Sequence, residues 1–107
     1  MLGMSKENEE ELMEILNRLA PDYDVLAFGS RVSGTNKQFS DLDLAFILPN
    51  NQKMPLRQWS KLKDNFGISD LLFRVDVIDY NACEDYFKKI IDKNNIKIHS
   101  RKEVING

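Results

Sequence analysis

Three short features of this 107-residue chain could do chemistry together. Gly29-Ser30 closes the apolar run from Val25 to Phe28, Asp41 and Asp43 flank Leu42 after ten intervening residues, and Asp76 stands between Val75 and Val77. Asp41 and Asp43 are two apart, so on a strand both side chains leave one face, with Cα atoms roughly 6.6 Å apart. Two carboxylates held that way can bind a pair of divalent ions about 3.5–4 Å apart. Mg²⁺ suits such a site, because it takes few carboxylates and fills its other positions with water and phosphate oxygens. Leu42 and Leu44 face the opposite way, and a one-residue slip would bury both charges, which pins the register.

Taken alone, each feature has a plainer reading. An isolated D-x-D is more often the polar face of a strand, and Gly-Ser an ordinary turn. Their combination shifts the balance. Glycine lets the backbone approach a phosphate closely, turn amides attract anions, and the Ser30 hydroxyl adds a donor. A carboxylate inside an apolar strand, as at Asp76, is costly unless paired or metal-bound. Arg74 is expected to point to the other face and so to leave Asp76 without that partner. Asp76 then becomes the third metal ligand, or the acceptor of a hydroxyl proton. Arg31 and Lys37 lie in the intervening loop and could balance phosphate charge. A solvated loop accounts better for Lys37, and Arg31 stays open between the two roles.

The elements that must position these residues follow from periodicity. Residues 1–4 are expected to fray. Ser5 caps a helix whose Leu12, Ile15, Leu16 and Leu19 form one buried face, ended by Pro21-Asp22. Val25–Phe28 is a strand buried on both faces, residues 31–40 a loop or a single helical turn, and Asp41–Leu48 a second strand. Pro55 suits the first turn of a helix with the stripe Leu56, Trp59, Leu62 and Phe66, and Gly67 stops it. Trp59 is assigned to the core. Leu71–Tyr80 is a third strand, with Val75 and Val77 alternating against Arg74, Asp76 and Ile78. Asn81 caps a last helix burying Cys83, Phe87, Ile90 and Ile91. Ile96–His99 forms a short final strand, with His99 structural or solvated. Interspersed strands and helices imply an α/β (α+β) fold, a small mixed sheet with helices packed on one face. Strand order is left open.

Composition narrows the setting. Net charge is −2 with no basic stripe, which argues against tight non-specific nucleic-acid binding. A single cysteine excludes an intrachain disulfide and fits a reducing, cytoplasmic compartment. No apolar run approaches the roughly 20 residues that span a bilayer, and the acidic start MLGMSKENEEEL is unlike a signal peptide.

The assembled pattern, G-S-x10-D-x-D followed by a strand aspartate, resembles the nucleotidyltransferase superfamily that includes polymerase β, and within it the minimal nucleotidyltransferases. The resemblance runs from Asp22 to about Ile98, through PDYDVLAFGSRVSG, FSDLDLAFI and FRVDVIDY. It implies a palm-like fold in one domain over residues 1–107, with its core at about 22–98. It also implies Asp41, Asp43 and Asp76 as catalytic ligands of two Mg²⁺ ions. Gly29 and Ser30, with Arg31, would bind the nucleotide, ATP or another NTP. The chain is similar to the MntA-type antitoxins of HEPN/MNT toxin–antitoxin pairs. That implies transfer of AMP from ATP to a tyrosine of a partner HEPN-domain toxin, in a hetero-oligomer. The acceptor tyrosine is then the partner's, and Tyr23, Tyr80 and Tyr86 here are structural. About a hundred residues leave no evident second domain to grip an acceptor, so a macromolecule with its own docking surface is expected. Two alternatives stand beside this: inhibition of a partner by occlusion with no transfer, and nucleotidylation of a small molecule such as an aminoglycoside.

Overall fold

Ser5 opens helix α1 (Lys6–Leu19) by accepting the Asn8 backbone N–H on its Oγ at 3.1 Å. Glu7 and Glu9 sit in the first turn, where the helix dipole favours negative charge. Leu12, Ile15, Leu16 and Leu19 are all buried, as their spacing predicts. The structure is a computed structural model that describes residues 2–34 and 40–102. Lys37 lies outside the described residues.

After α1 come β1 (Asp24–Phe28), the single turn α2 (Ser30–Ser33), β2 (Leu42–Ile47), α3 (Leu56–Ile68), β3 (Val75–Asp79), α4 (Asp85–Lys93) and β4 (Ile96–His99). The strands make one mixed sheet in the order β3-β2-β1-β4. β2 runs antiparallel to β1 and parallel to β3, and β4 pairs antiparallel on the far side of β1. Among the described residues no helix is long and apolar enough to cross a membrane.

Side-chain alternation divides the sheet into two unlike faces. Val25, Ala27, Leu42, Leu44, Phe46, Val75 and Val77 form the main core with α1 and with Leu62 and Phe66 of α3. Slipping β2 by one residue would expose Leu42, Leu44 and Phe46, each contributing about 1.5–3 kcal/mol by burial, and drive Asp43 into the core. The opposite face holds a smaller cluster in which Ile91 of α4 covers Phe28 and Ala45. Helices on one face therefore describes α1 and α3, while α4 reaches over the other. That second face is apolar at Phe28, Ala45 and Ile78 and needs cover there, whereas Asp43 and Asp76 on the same face do not.

Several local expectations are corrected by tertiary contacts. Residues 2–4 are not frayed: Leu2 and Met4 pack on the main core. Strand structure starts at Leu42 and Val75, later than expected, because the parallel register pairs Leu42 with Val75 and leaves residues before them without a ladder. Gly67 does not stop α3, which continues to Ile68 and is closed by Ser69 Oγ donating to Phe66 O at 2.6 Å. Leu56 at the start of α3 is 75% exposed, beyond the reach of the sheet. Asn81 does not cap α4; its amide donates to Leu48 O and Gln52 O at 3.3 and 2.6 Å and ties down the segment after β2. In α4 only Phe87 and Ile91, four residues apart, turn to the sheet, while Ile90 is 57% exposed.

His99 is buried in β4, its Nδ1 2.9 Å from Tyr23 O and its Nε2 3.2 Å from Asn17 Oδ1. Trp59 is half-buried against the main core and donates Nε1–H to Val77 O at 3.0 Å, satisfying a carbonyl on the outer edge of β3. Trp59→Phe keeps most of the packing and deletes that bond, so urea denaturation should show a loss of about 0.5–1.5 kcal/mol.

Candidate active site

The last residue of β1 is Phe28, and the chain must then leave the sheet at once. Gly29 makes that exit with φ 80° and ψ −154°, a conformation essentially confined to glycine. Its carbonyl accepts the Val32 and Ser33 amides at 3.1 Å each, and these bonds form α2. The neighbouring register places Asp43 opposite Phe28. The Asp43 carboxylate lies directly over Gly29, and a Cβ at position 29 would overlap Asp43 Oδ2. Glycine is therefore demanded twice, by the turn and by the carboxylate resting on it.

On the other side of β2, the parallel register sets Asp43 beside Asp76. The two carboxyls face one another within hydrogen-bonding reach, and Asp41 stands near enough to act on Asp43 by charge. Burial, then the hydrogen bond with Asp76, then the charges of Asp76 and Asp41 push the Asp43 carboxyl up to about 6. Asp41 is exposed, just ahead of β2, at the open end of the pair. Two carboxyls pressed together with a third behind them make an all-oxygen donor set whose mutual repulsion a divalent cation would relieve. Among the described residues, no three His, Cys, Asp or Glu side chains are gathered closely enough to hold a metal ion as they stand.

Asp43 and Asp76 line a cleft of about 520 Å³, the size range of nucleotide and cofactor sites. Phe28, Ile78 and Phe87 give it an apolar wall, with the two rings edge to face at 5.9 Å between centroids. Lys63 and Arg74 bring positive charge to the same cleft. An apolar wall, paired carboxylates and flanking cations suit a ligand with a flat ring at one end and phosphates at the other.

The family described as polymerase beta, nucleotidyltransferase, matches residues 7–104. The chain belongs to that family. This nucleotidyltransferase is 38% identical over 104 residues to the Haemophilus influenzae protein named "Probable protein adenylyltransferase MntA", an alignment covering 97% of this chain and 90% of that one. Its fold is similar to that of a chain in the crystal structure of a toxin–antitoxin with AMP-PNP, with a TM-score of 0.72 at 19% identity, covering 89% of this chain and 75% of the other. It is also similar to a chain in the complex of tri-AMPylated Shewanella oneidensis HEPN toxin with MNT antitoxin, with a TM-score of 0.61 at 16% identity, covering 88% and 71%. The last two likenesses are of fold.

Within this nucleotidyltransferase the expected residues divide. Gly29, Asp43 and Asp76 meet in one place, with Asp41 at its margin and the half-buried Ser30 directly after the turn. Arg31 goes elsewhere. It is 4% exposed, donates Nε–H to Ser40 O at 2.9 Å and Nη1–H to Leu2 O at 3.1 Å, and lies 4.3 Å from the centre of the Phe73 ring. Burial lowers its pKa, and the charge of Asp41 opposes that shift. Arg31 thus ties the N-terminal segment and the start of β2 to the main core. Arg31→Met should cost about 2–4 kcal/mol in chemical denaturation, for two bonds from a charged donor and the carbonyls left unpaired. Nucleotide affinity of the remaining folded protein should barely change, as calorimetry would show.

Arg74 overturns its expectation. Its Nε is 3.3 Å from Asp76 Oδ1, because residues two apart on an extended chain leave the same face. That signal was present in the spacing. Lys63 was not foreseeable, since nothing local to α3 says which part of the sheet it will overhang. Of the tyrosines, Tyr23 stacks edge-on against Phe46 and Tyr80 donates to Asp92 Oδ1 at 2.8 Å, as structural residues should. Tyr86 is instead 68% exposed on α4. Cys83 is half-buried with its thiol on Asp79 O, and burial pushes its pKa up, away from reactivity.

Proposed function

We propose that this chain is an Mg²⁺-dependent adenylyltransferase that transfers AMP from ATP to a tyrosine hydroxyl of a partner HEPN-domain toxin, and so acts as its antitoxin. The observation that carries the reading is the Asp43–Asp76 pair seated on Gly29, in a chain 38% identical across nearly its whole length to a protein adenylyltransferase. Toxin–antitoxin complexes among the structures of similar fold supply the partner class. The chain acts as a single domain, and a cytoplasmic setting suits both the ATP and the free Cys83.

The acceptor oxygen attacks the α-phosphorus in line, forming the new O–P bond as the α–β bridging bond breaks and pyrophosphate leaves. Asp41, Asp43 and Asp76 would hold two Mg²⁺ ions. When bound, the metal lowers the acceptor's pKa and neutralises the departing pyrophosphate. The chain's own residues do the positioning. Gly29 lets the turn pass close beneath Asp43, and Ser30 offers its hydroxyl to the triphosphate. Phe28 and Phe87 shape the apolar wall for the nucleoside, and Asp76 takes the hydroxyl proton.

Incubating the toxin with this chain, ATP and Mg²⁺ tests the reading by intact-mass spectrometry. A gain of one or more AMP units, lost when EDTA is added and mapped to a tyrosine, is the expected result. Inhibition of the toxin with no mass change would instead establish occlusion and reject the transfer.

A further inference from the structure

One cation in the cleft is paired with a carboxylate that the proposed reaction needs. Arg74 Nε sits 3.3 Å from Asp76 Oδ1, with the Arg74 side chain 76% exposed and that of Asp76 32% exposed. The backbone beneath Arg74 is fixed, since its carbonyl accepts the Leu42 amide at 2.8 Å. The side chain is thus a mobile arm on a rigid root. Lys63, the other cation lining the cleft, rests 4.3 Å from the centre of the Trp59 ring. Exposed ion pairs contribute little and break readily. A guanidinium on Asp76 and a divalent cation on the Asp43–Asp76 pair compete for the same oxygens and repel one another. The guanidinium fork also matches phosphate oxygens, which arrive in the same cleft with the nucleotide.

We infer that Arg74 is a displaceable counter-ion: it neutralises Asp76 while the cleft is empty, and moves onto the phosphates of a nucleoside triphosphate when a divalent cation takes the carboxylates. The inference rests on the nucleotidyltransferase reading above and assigns Arg74 a nucleotide-binding role within it. Its consequence is reciprocal coupling. The nucleotide gives Arg74 a second place to bind, so the metal binds more readily with nucleotide present than alone.

The test uses the full chain and its Arg74→Gln and Arg74→Lys variants. Calorimetry measures first Mg²⁺ alone, then, at saturating Mg²⁺, an ATP analogue with a methylene between the α- and β-phosphates, which cannot transfer. Arg74→Gln should bind Mg²⁺ about two- to fivefold more tightly, since an exposed competing pair has gone. The same variant should bind the analogue about tenfold more weakly, since a charge-assisted phosphate contact has gone. Arg74→Lys should recover most of the analogue affinity. Mg²⁺ affinity that is unchanged or weaker in Arg74→Gln overturns the inference, and so does unchanged analogue affinity. A wild type that binds both ligands while Arg74→Gln alters neither rejects only the role of Arg74. A wild type that binds neither rejects the nucleotidyltransferase reading with it.

Discussion

Asp43→Asn is expected to reduce AMP transfer by about 10²–10³-fold or more, the scale of losing one preorganised electrostatic group, while the protein stays folded. In EDTA its melting midpoint at neutral pH should equal or exceed that of the wild type. The reason lies in the crowding of the site. Asp43 is half-buried, and its carboxyl is pushed from 3.8 to about 6 by burial, by Asp76 and by the charge of Asp41. A carboxyl whose folded-state pKa is raised contributes its full stabilisation below about pH 4 and loses it as pH rises through about 6. At pH 7 the ionised Asp43 therefore works against the fold, and the neutral amide removes that penalty. Mg²⁺ should reverse the ranking, raising the midpoint of the wild type in proportion to ln(1 + [Mg²⁺]/Kd) and leaving Asp43→Asn almost unmoved. Differential scanning calorimetry with and without Mg²⁺ checks the two statements on stability, and intact-mass spectrometry of the toxin checks the loss of transfer. A variant that transfers AMP at the wild-type rate, or that melts far below the wild type in EDTA, would remove Asp43 from the centre of the site.

Gly29→Ala should damage both stability and activity, although it adds one methyl group at a position that is exposed. The backbone there has φ 80° and ψ −154°, which costs a residue with a side chain about 1–3 kcal/mol. The new Cβ would also overlap Asp43 Oδ2 and displace the carboxylate from Asp76. The two penalties separate in a double-mutant cycle. Asp43→Ala removes the overlap but not the backbone strain, so the double variant should be more stable than the sum of the singles by about 0.5–3 kcal/mol. Urea denaturation of the four proteins measures this, and strict additivity would mean that Gly29 and Asp43 do not touch.

Both predictions concern residues that local spacing had already singled out. Asp41 and Asp43 two apart, Gly29 at the end of an apolar run, and an aspartate inside a third run are patterns of order and interval. They remain visible before anything folds. The same holds for Leu12, Ile15, Leu16 and Leu19, whose helical stripe is buried as spaced. Where expectation failed, the deciding contact was distant in sequence. Gly67 is an exception, since a local contact decides it: Ser69, two residues on, closes α3 by donating to Phe66 O. Ile90 has the character of a buried residue, yet the sheet under α4 has room for Phe87 and Ile91 alone. Arg31 follows the Gly29-Ser30 turn directly, but Leu2, Ser40 and Phe73 claim its side chain. Arg74 is different, because period-two alternation suffices to put it with Asp76.

By itself the sequence determined the family pattern, the three carboxylates, the glycine beside them and a mixed sheet, because each depends on residue type and short-range period. Only the tertiary structure decided that β3 lies parallel to β2, so that Asp43 and Asp76 become neighbours rather than two charges on separate strands. It also decided that Gly29 is the floor beneath Asp43, that Arg31 belongs to the core, and that Lys63 and Arg74 share the cleft. The physical reason is the same in each case. Spacing along a strand sets which face a side chain leaves, whereas the neighbour it meets there depends on pairing and packing across segments that are far apart in the chain.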